Sequence, residues 1–225
     1  MKHIALLTTL LLSASLQAVE KPYDYVFFEN SLMKGDYFYS QAKYTSPSWI
    51  KNARHHLPVA GSVAFTPGNS LELTYVSAPG GDWYSEIQYC PVRGNDFFRE
   101  PSTLSMQVRL RESMNAAALP NIAIRYADST YTQYLNLRNY LKDTRPGVWH
   151  SVSIPLKDFG LNAVNDTNIK KLAAVALRPG TADGNEYTIY LDDIELLPAS
   201  LPSVSALNAP VLQEAKAYER HIDIK

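Results

Sequence analysis

Residues 187–196 read YTIYLDDIEL, and this stretch carries the most specific pattern in the chain. Ile189 and Leu191 alternate with outward-facing neighbours, the period of two that puts one face of a β-strand in a core. Ile194 and Leu196 are also apolar, but they fall on the opposite parity. One residue is therefore inserted between the two pairs, as in a β-bulge. We predict a closing strand whose bulge re-aims two adjacent aspartates.

The same alternation recurs through most of the chain. It is cleanest over residues 103–111, where Leu, Met and Val side chains face one way and Ser, Gln and Arg side chains the other. Further short strands are predicted over 70–76, 83–89 and 121–126, with Gly, Pro and Asn turns between strands. This rhythm indicates an all-β fold, an antiparallel β-sandwich that we assign to residues 19–198.

Two segments carry a family resemblance. Residues 147–159 read GVWHSVSIPLKDF, and residues 190–196 read YLDDIEL. Together they resemble the galactose-binding-like jelly-roll domains found as carbohydrate-binding modules and as N-terminal accessory domains of glycoside hydrolases and polysaccharide lyases. The resemblance covers roughly residues 24–198 at the level of the fold. It implies a jelly roll whose first and last strands lie side by side.

The resemblance also implies a structural calcium ion. In related modules an acidic residue near the end of the first strand meets the aspartate of the closing strand, and Glu29, Asp192 and Asp193 fit those positions. Calcium prefers six to eight oxygen ligands, so such carboxylates would join the two ends of the sandwich. The alternative is that these residues are solvated edge charges or turn formers.

A second set of outward positions predicts a binding face. If the central strands share one sheet, its outer face offers planar guanidinium and amide groups for sugar hydroxyls, and tyrosine rings for the apolar side of a sugar. The predicted carbohydrate-binding residues are Tyr84, Gln107, Arg109, Arg125, Tyr134, Asn136 and Arg138. The number of arginines would favour an acidic sugar. The same face could instead dock a neighbouring domain or simply be solvated.

The beginning of the chain predicts export. Lys2 and His3 precede an apolar run over residues 4–12, and small residues follow up to Ala18. Residues 1–18 are thus predicted to be a signal peptide that sends the protein to the periplasm or outside the cell. Ser15 stands where a lipidated cysteine would be required, so no lipid anchor is expected.

Composition narrows the partners. The 21 basic and 22 acidic residues give a formal net charge of −1, which favours neither nucleic acid nor a membrane. Cys90 is the single cysteine, so an internal disulfide is excluded. There are 15 tyrosines, a residue type that suits both strands and ligand contact.

The composition changes after residue 198. Prolines with Ser and Ala between them predict a linker over residues 199–210. Residues 211–225 resemble the first strand of a second, truncated module of the fibronectin type III kind, with a disordered or helical tail as the alternative. We therefore expect an adjacent domain of the same polypeptide beyond Lys225 to be a partner, besides an oligosaccharide or polysaccharide.

These features favour a non-catalytic function. The sequence has no Gly-rich nucleotide motif, no Gly-x-Ser-x-Gly and no zinc pattern. We predict a carbohydrate-binding or accessory module of an exported enzyme of the glycoside hydrolase type. Two alternatives remain open: a purely structural spacer, or a polysaccharide hydrolase or lyase in its own right, since glycosidase chemistry needs only two suitably spaced carboxylates.

Overall fold

The computed structural model describes residues 25–89, 101–161 and 171–198. The predicted signal peptide, linker and second module, together with Cys90, lie outside the described residues. None of the helical segments in these ranges has the length and hydrophobicity of a membrane span.

Strands dominate the described residues. The thirteen strands are β1 (Tyr25–Phe28), β2 (Asp36–Tyr37), β3 (Ser40–Thr45), β4 (Trp49–Ile50), β5 (Leu57–Ala60), β6 (Ser70–Val76), β7 (Asp82–Gln88), β8 (Pro101–Leu110), β9 (Asn121–Tyr126), β10 (Leu135–Asn136), β11 (Trp149–Pro155), β12 (Leu172–Arg178) and β13 (Glu186–Pro198). Three short 3-10 helices lie within the described ranges, at Ala116–Ala118, Leu137–Asn139 and Leu156–Phe159.

The described strands form two antiparallel sheets. The larger has eight strands, in the order β11-β8-β13-β6-β5-β2, with β1 added beside β13 and β4 beside β6. The smaller has five strands in the order β10-β9-β12-β7-β3. The predicted all-β sandwich is therefore confirmed, and its two outer faces are available for different uses.

The core lies between the sheets because the strands alternate as predicted. On β8, Leu104, Met106 and the two apolar residues that follow at intervals of two are all buried. On β7, Trp83 and Ile87 are buried as well, and the Trp83 ring lies 4.8 Å from the ring of Tyr75 on β6 in the opposite sheet. This single core closes within the described residues, so the sandwich has what a domain needs to fold by itself.

The predicted bulge is present in β13. The register of β13 against β8 shifts between Asp192 and Glu195, and Asp193 adopts a left-handed backbone with φ of 46°. Beyond the shift, β13 pairs with β1, with Leu196 opposite Tyr25. The first and last strands therefore lie side by side, as the resemblance implied.

One prediction about the sheets is wrong. β8 belongs to the eight-stranded sheet, whereas β9 belongs to the five-stranded sheet. Residues 111–120, which include the first 3-10 helix, carry the chain from one layer to the other. Alternation tells which side of a strand faces a core but not which layer the strand joins, so the single polar face predicted for these strands does not exist.

Candidate functional site

The outer face of the five-stranded sheet has a floor of small side chains. Ala174 and Ala176 of β12 face outward, because their neighbours Val175 and Leu177 belong to the core. Ala123 of β9 lies directly opposite Ala176. Three alanines at the centre of the sheet leave room above it, into which longer side chains from the flanking strands can extend.

A buried carboxylate occupies this room. Glu86 of β7 is 2% exposed, and its Oε1 accepts a hydrogen bond from the Tyr131 hydroxyl at 2.8 Å while its Oε2 accepts one from Gln41. The Nε of Arg125 lies 3.0 Å from Oε1, although its N–H does not point along that line, so this contact is an ion pair rather than a hydrogen bond. Glu86 thus holds together side chains from both sides of the alanine floor.

Tyrosine rings stand above the floor. Tyr131 and Tyr134 are stacked, with ring centroids 6.0 Å apart and planes 28° from parallel. They are 37% and 36% exposed, so each presents a substantial ring surface to solvent. Tyr84 of β7 projects from the same face as Glu86, since the two are separated by one residue along the strand.

Arg178 links these rings. Its Nε donates a hydrogen bond to the Tyr134 hydroxyl at 3.1 Å, and one of its terminal nitrogens donates to Asp82 at 2.9 Å. The guanidinium carbon lies 5.8 Å from the ring centroids of both Tyr134 and Tyr84, within range of a cation–π contact. A shallow pocket opens beside it, between Tyr134 and the loops that contain Gly80 and Gly180.

The hydrogen bond to Glu86 affects the chemistry of Tyr131. Burial, and then the hydrogen bond and negative charge of Glu86, raise the pKa of Tyr131 to about 12. The phenol is therefore neutral at physiological pH and remains a donor to Glu86. Its ring is held in place while its face stays open to a ligand.

The predicted carbohydrate-binding residues divide into two groups. Tyr84, Arg125 and Tyr134 lie together on this face. Gln107 and Arg109 do not, because β8 lies in the other sheet, where Gln107 accepts a hydrogen bond from Ser151 of β11.

The two remaining predicted residues follow β9 in the chain. The side-chain amide of Asn136 donates to the Leu119 carbonyl and to Asn121, and its oxygen accepts from the amide of Arg138, so it caps the second 3-10 helix. Arg138 is exposed on that helix. Between Tyr131 and Leu137 the regular strand is limited to Leu135–Asn136, with one isolated bridge between Tyr131 and Arg125.

The predicted carbohydrate-binding residues leave out four members of the site: Gln41, Glu86, Tyr131 and Arg178. The alternation of β7 does place Glu86 on the same outward face as Tyr84, a face that suits a sugar, and Arg178 shares the parity of Ala174 and Ala176. The alternate alanines of β12 were the available signal, because small side chains on a central strand mark a depression in a sheet surface.

A second acidic site lies at the bulge of β13. Asp192 is fully buried, and its Oδ2 accepts hydrogen bonds from the amides of Phe65 at 2.8 Å and Thr66 at 3.2 Å. Its Oδ1 accepts from the amide of Asp193 at 2.9 Å, while the Thr66 hydroxyl donates to the Asp193 carboxylate at 2.8 Å. Burial, and then the nearby charge of Asp193, raise the pKa of Asp192 to about 7.

The predicted metal ligands do not form a carboxylate cluster here. Among the described residues no group of three or more His, Cys, Asp or Glu side chains is placed to hold a metal ion, so Glu29, Asp192 and Asp193 do not meet as expected. Instead, backbone amides of the loop that begins at Phe65 donate hydrogen bonds to the Asp192 carboxylate. One observation favours a cation: Oδ1 of Asn30, a residue that follows β1 and whose side chain lies beside Gly68 of this loop, is buried without a hydrogen-bond partner among the described residues. Calcium therefore stays a prediction.

Comparison with known proteins identifies the family to which this sandwich is similar. The model of the family described as "Carbohydrate binding domain 30" matches residues 24–197. The family 30 carbohydrate-binding module of a cellulosomal cellulase of Clostridium thermocellum has a similar fold, with a TM-score of 0.57 and 17% identity over 79% of this chain and 99% of that one.

Two comparisons connect the chain with a longer protein. It is 99% identical over its full length to an exo β-1,2-glucooligosaccharide sophorohydrolase (non-reducing end) of Parabacteroides distasonis, but it spans only 31% of that relative. The crystal structure of a β-1,2-glucanase from the same organism superposes with a TM-score of 0.80 and 99% identity, over 85% of this chain and 27% of the glucanase chain.

Proposed function

The chain belongs to the carbohydrate binding domain 30 family, and from this we propose that the outer face of its five-stranded sheet binds a glucan chain. The observation that supports this face is the group of Tyr84, Tyr131 and Tyr134 above the alanine floor, together with the polar side chains that contact these rings. Aromatic rings cover the apolar faces of sugar rings, while planar polar groups beneath them hydrogen-bond to hydroxyls.

The charges on this face favour a neutral sugar. Arg125 is paired with the buried Glu86, and Arg178 is paired with Asp82. Neither guanidinium offers an uncompensated positive charge, so these two arginines do not support the expectation of an acidic ligand. The Nζ of Lys43 lies 5.9 Å from the centre of the Tyr84 ring and is a cation of this face that stands outside these two ion pairs. The name of the longer relative describes an enzyme that acts on β-1,2-glucooligosaccharides. We therefore propose a β-1,2-linked glucooligosaccharide as the first ligand to test.

The proposed role is binding without catalysis. A glycosidase needs a proton-donating carboxyl group and a second free carboxylate across the scissile bond. Glu86 accepts two hydrogen bonds from the protein and is ion-paired with Arg125, and Asp82 is ion-paired with Arg178. The module would then hold glucan for the remainder of the longer polypeptide. Export through the predicted signal peptide remains part of this proposal.

Removing one ring tests the binding face. We expect Tyr134→Ala to weaken binding of β-1,2-glucooligosaccharides by about 10- to 30-fold, which corresponds to roughly 1.4 to 2 kcal/mol for an aromatic contact residue. Isothermal titration calorimetry on the 225-residue chain measures this loss.

The matched control is Phe38→Ala. Phe38 is 63% exposed, the most exposed aromatic ring described, and it packs against Tyr39 and His56 rather than on the proposed face. Equal affinities of the two variants would rule out this face. Absence of binding to every neutral glucan would favour the spacer function, and release of sugar by the isolated chain would favour the hydrolase.

A further inference from the structure

The other outer face carries a row of four side chains that crosses four strands of the eight-stranded sheet. Trp149 of β11 lies opposite Arg109 of β8, Arg109 opposite Tyr190 of β13, and Tyr190 opposite Glu72 of β6. Arg109, Tyr190 and Glu72 point away from the core, because the residues on either side of each along its strand belong to the core. Trp149 lies on the same face, because it is paired directly with Arg109 and has the opposite parity to the core residues Val152 and Ile154 of β11. Glu72 ends the row in an ion pair with Lys51 at 2.6 Å.

An exposed loop extends the apolar part of this row. The amide of Phe65 is anchored on Asp192, and its ring reaches over the sheet to lie 6.0 Å from the Trp149 ring in an edge-on arrangement. Phe65 is 49% exposed and Val148 is 42% exposed, while Trp149 is partly buried. These three residues therefore form an apolar group that is open to solvent at one end of the row.

Arg109 lacks the counter-charge that the arginines of the sugar face have. Its Nε is buried without a hydrogen-bond partner among the described residues, and so is the Nε of Arg125. The Nε of Arg125, however, lies 3.0 Å from the Glu86 carboxylate, whereas no described carboxylate forms an ion pair with Arg109. An unsatisfied buried donor is costly unless an acceptor completes it. Trp, Tyr and Arg are also the residue types that dominate the centres of protein interfaces. Their combination here indicates a contact surface for another protein segment that brings an acceptor to Arg109.

We propose that this face docks the remainder of the longer polypeptide. The chain spans 31% of its 99%-identical relative, so most of that polypeptide lies outside the sandwich. β13, the strand after which the chain continues into residues 199–225, runs through this sheet and ends beside β8, with Pro198 opposite Pro101. Docking on this layer leaves the tyrosines of the five-stranded sheet free for glucan.

Hydroxyl-radical footprinting tests this docking. In the longer polypeptide we expect Trp149 to oxidise at least about 5-fold more slowly than in the 225-residue chain, because an interface core excludes water. Phe38 and Tyr44, which are exposed elsewhere, should oxidise at the same rate in both samples. Arg109→Glu in the longer polypeptide should restore fast oxidation of Trp149.

Arg111→Glu is the matched control, since it makes the same charge change two residues away on an exposed side chain, and it should leave Trp149 protected. Equal oxidation of Trp149 in the long and short chains overturns the proposal. Protection that disappears on dilution would assign the face to a second copy of the protein, and protection of the short chain by a glucooligosaccharide would assign it to sugar. Each of these two results also overturns the proposal that the face docks the remainder of the polypeptide. Neither result depends on whether the tyrosines of the five-stranded sheet bind glucan.

Discussion

Glu86→Ala is expected to lower the free energy of unfolding by about 3 to 5 kcal/mol, the cost of removing one partner from a buried ion pair. Glu86 is almost completely buried, and Arg125 is largely buried beside it. Without the carboxylate, the guanidinium has no counter-charge, and Tyr131 and Gln41 lose their acceptor. Urea denaturation with an unchanged m-value measures the loss.

The other ion pairs provide the control for this prediction. Glu72 pairs with Lys51, whose side chain is half exposed, and Glu72→Ala should cost less than about 1 kcal/mol. The double variant Glu86→Ala with Arg125→Ala should cost less than the sum of the two single variants, because no charge is then left buried alone. If Glu86→Ala costs no more than Glu72→Ala, the carboxylate does not organise this face.

The Glu86 network also explains why the site was only partly predictable. Alternation assigned Tyr84, Arg125 and Tyr134 to outward positions, and the structure brings these three together. It could not reveal that Glu86 and Arg125 meet across β12, because that contact depends on which strands are neighbours in the sheet. In a sandwich, strands adjacent in sequence often lie in different layers.

The layer assignment accounts for the two misplaced residues. Gln107 and Arg109 do point outward from β8, as predicted, but from the opposite side of the molecule. The closing strand was more predictable than the site, because a change of parity within one strand is a local property. Ile194 and Leu196 must be buried beside Tyr25 of β1, and only an extra residue at the aspartates allows this.

In the presence of a chelator, we expect the titration of Asp192 to change the free energy of unfolding with pH. The unfolded chain ionises this carboxyl near its ordinary pKa of 3.8, whereas the folded chain keeps its proton until about pH 7. The folded state is therefore relatively most stable below about pH 4 and loses stability as the pH rises towards 7. At about 1.4 kcal/mol per pH unit, the loss amounts to about 4 kcal/mol.

Asp192→Asn isolates this contribution, because the amide does not titrate while one oxygen still accepts a hydrogen bond. Urea denaturation from pH 4 to 8 in chelator should show the difference in unfolding free energy between the two proteins changing by about 4 kcal/mol, with the wild type losing stability as the pH rises. A difference that is flat with pH would mean that Asp192 is ionised in the fold throughout.

Adding millimolar calcium then tests whether the site binds this metal. A bound cation would stabilise the ionised form of Asp192, so the wild type would gain stability as the pH rises instead of losing it. A higher melting temperature with calcium at pH 7.5, seen in the wild type and lost in Asp192→Asn, would confirm the calcium prediction. The same melting temperature with and without calcium would contradict the calcium prediction. The amides of Phe65 and Thr66 would then be the groups that hold Asp192 in place beside the paired first and last strands.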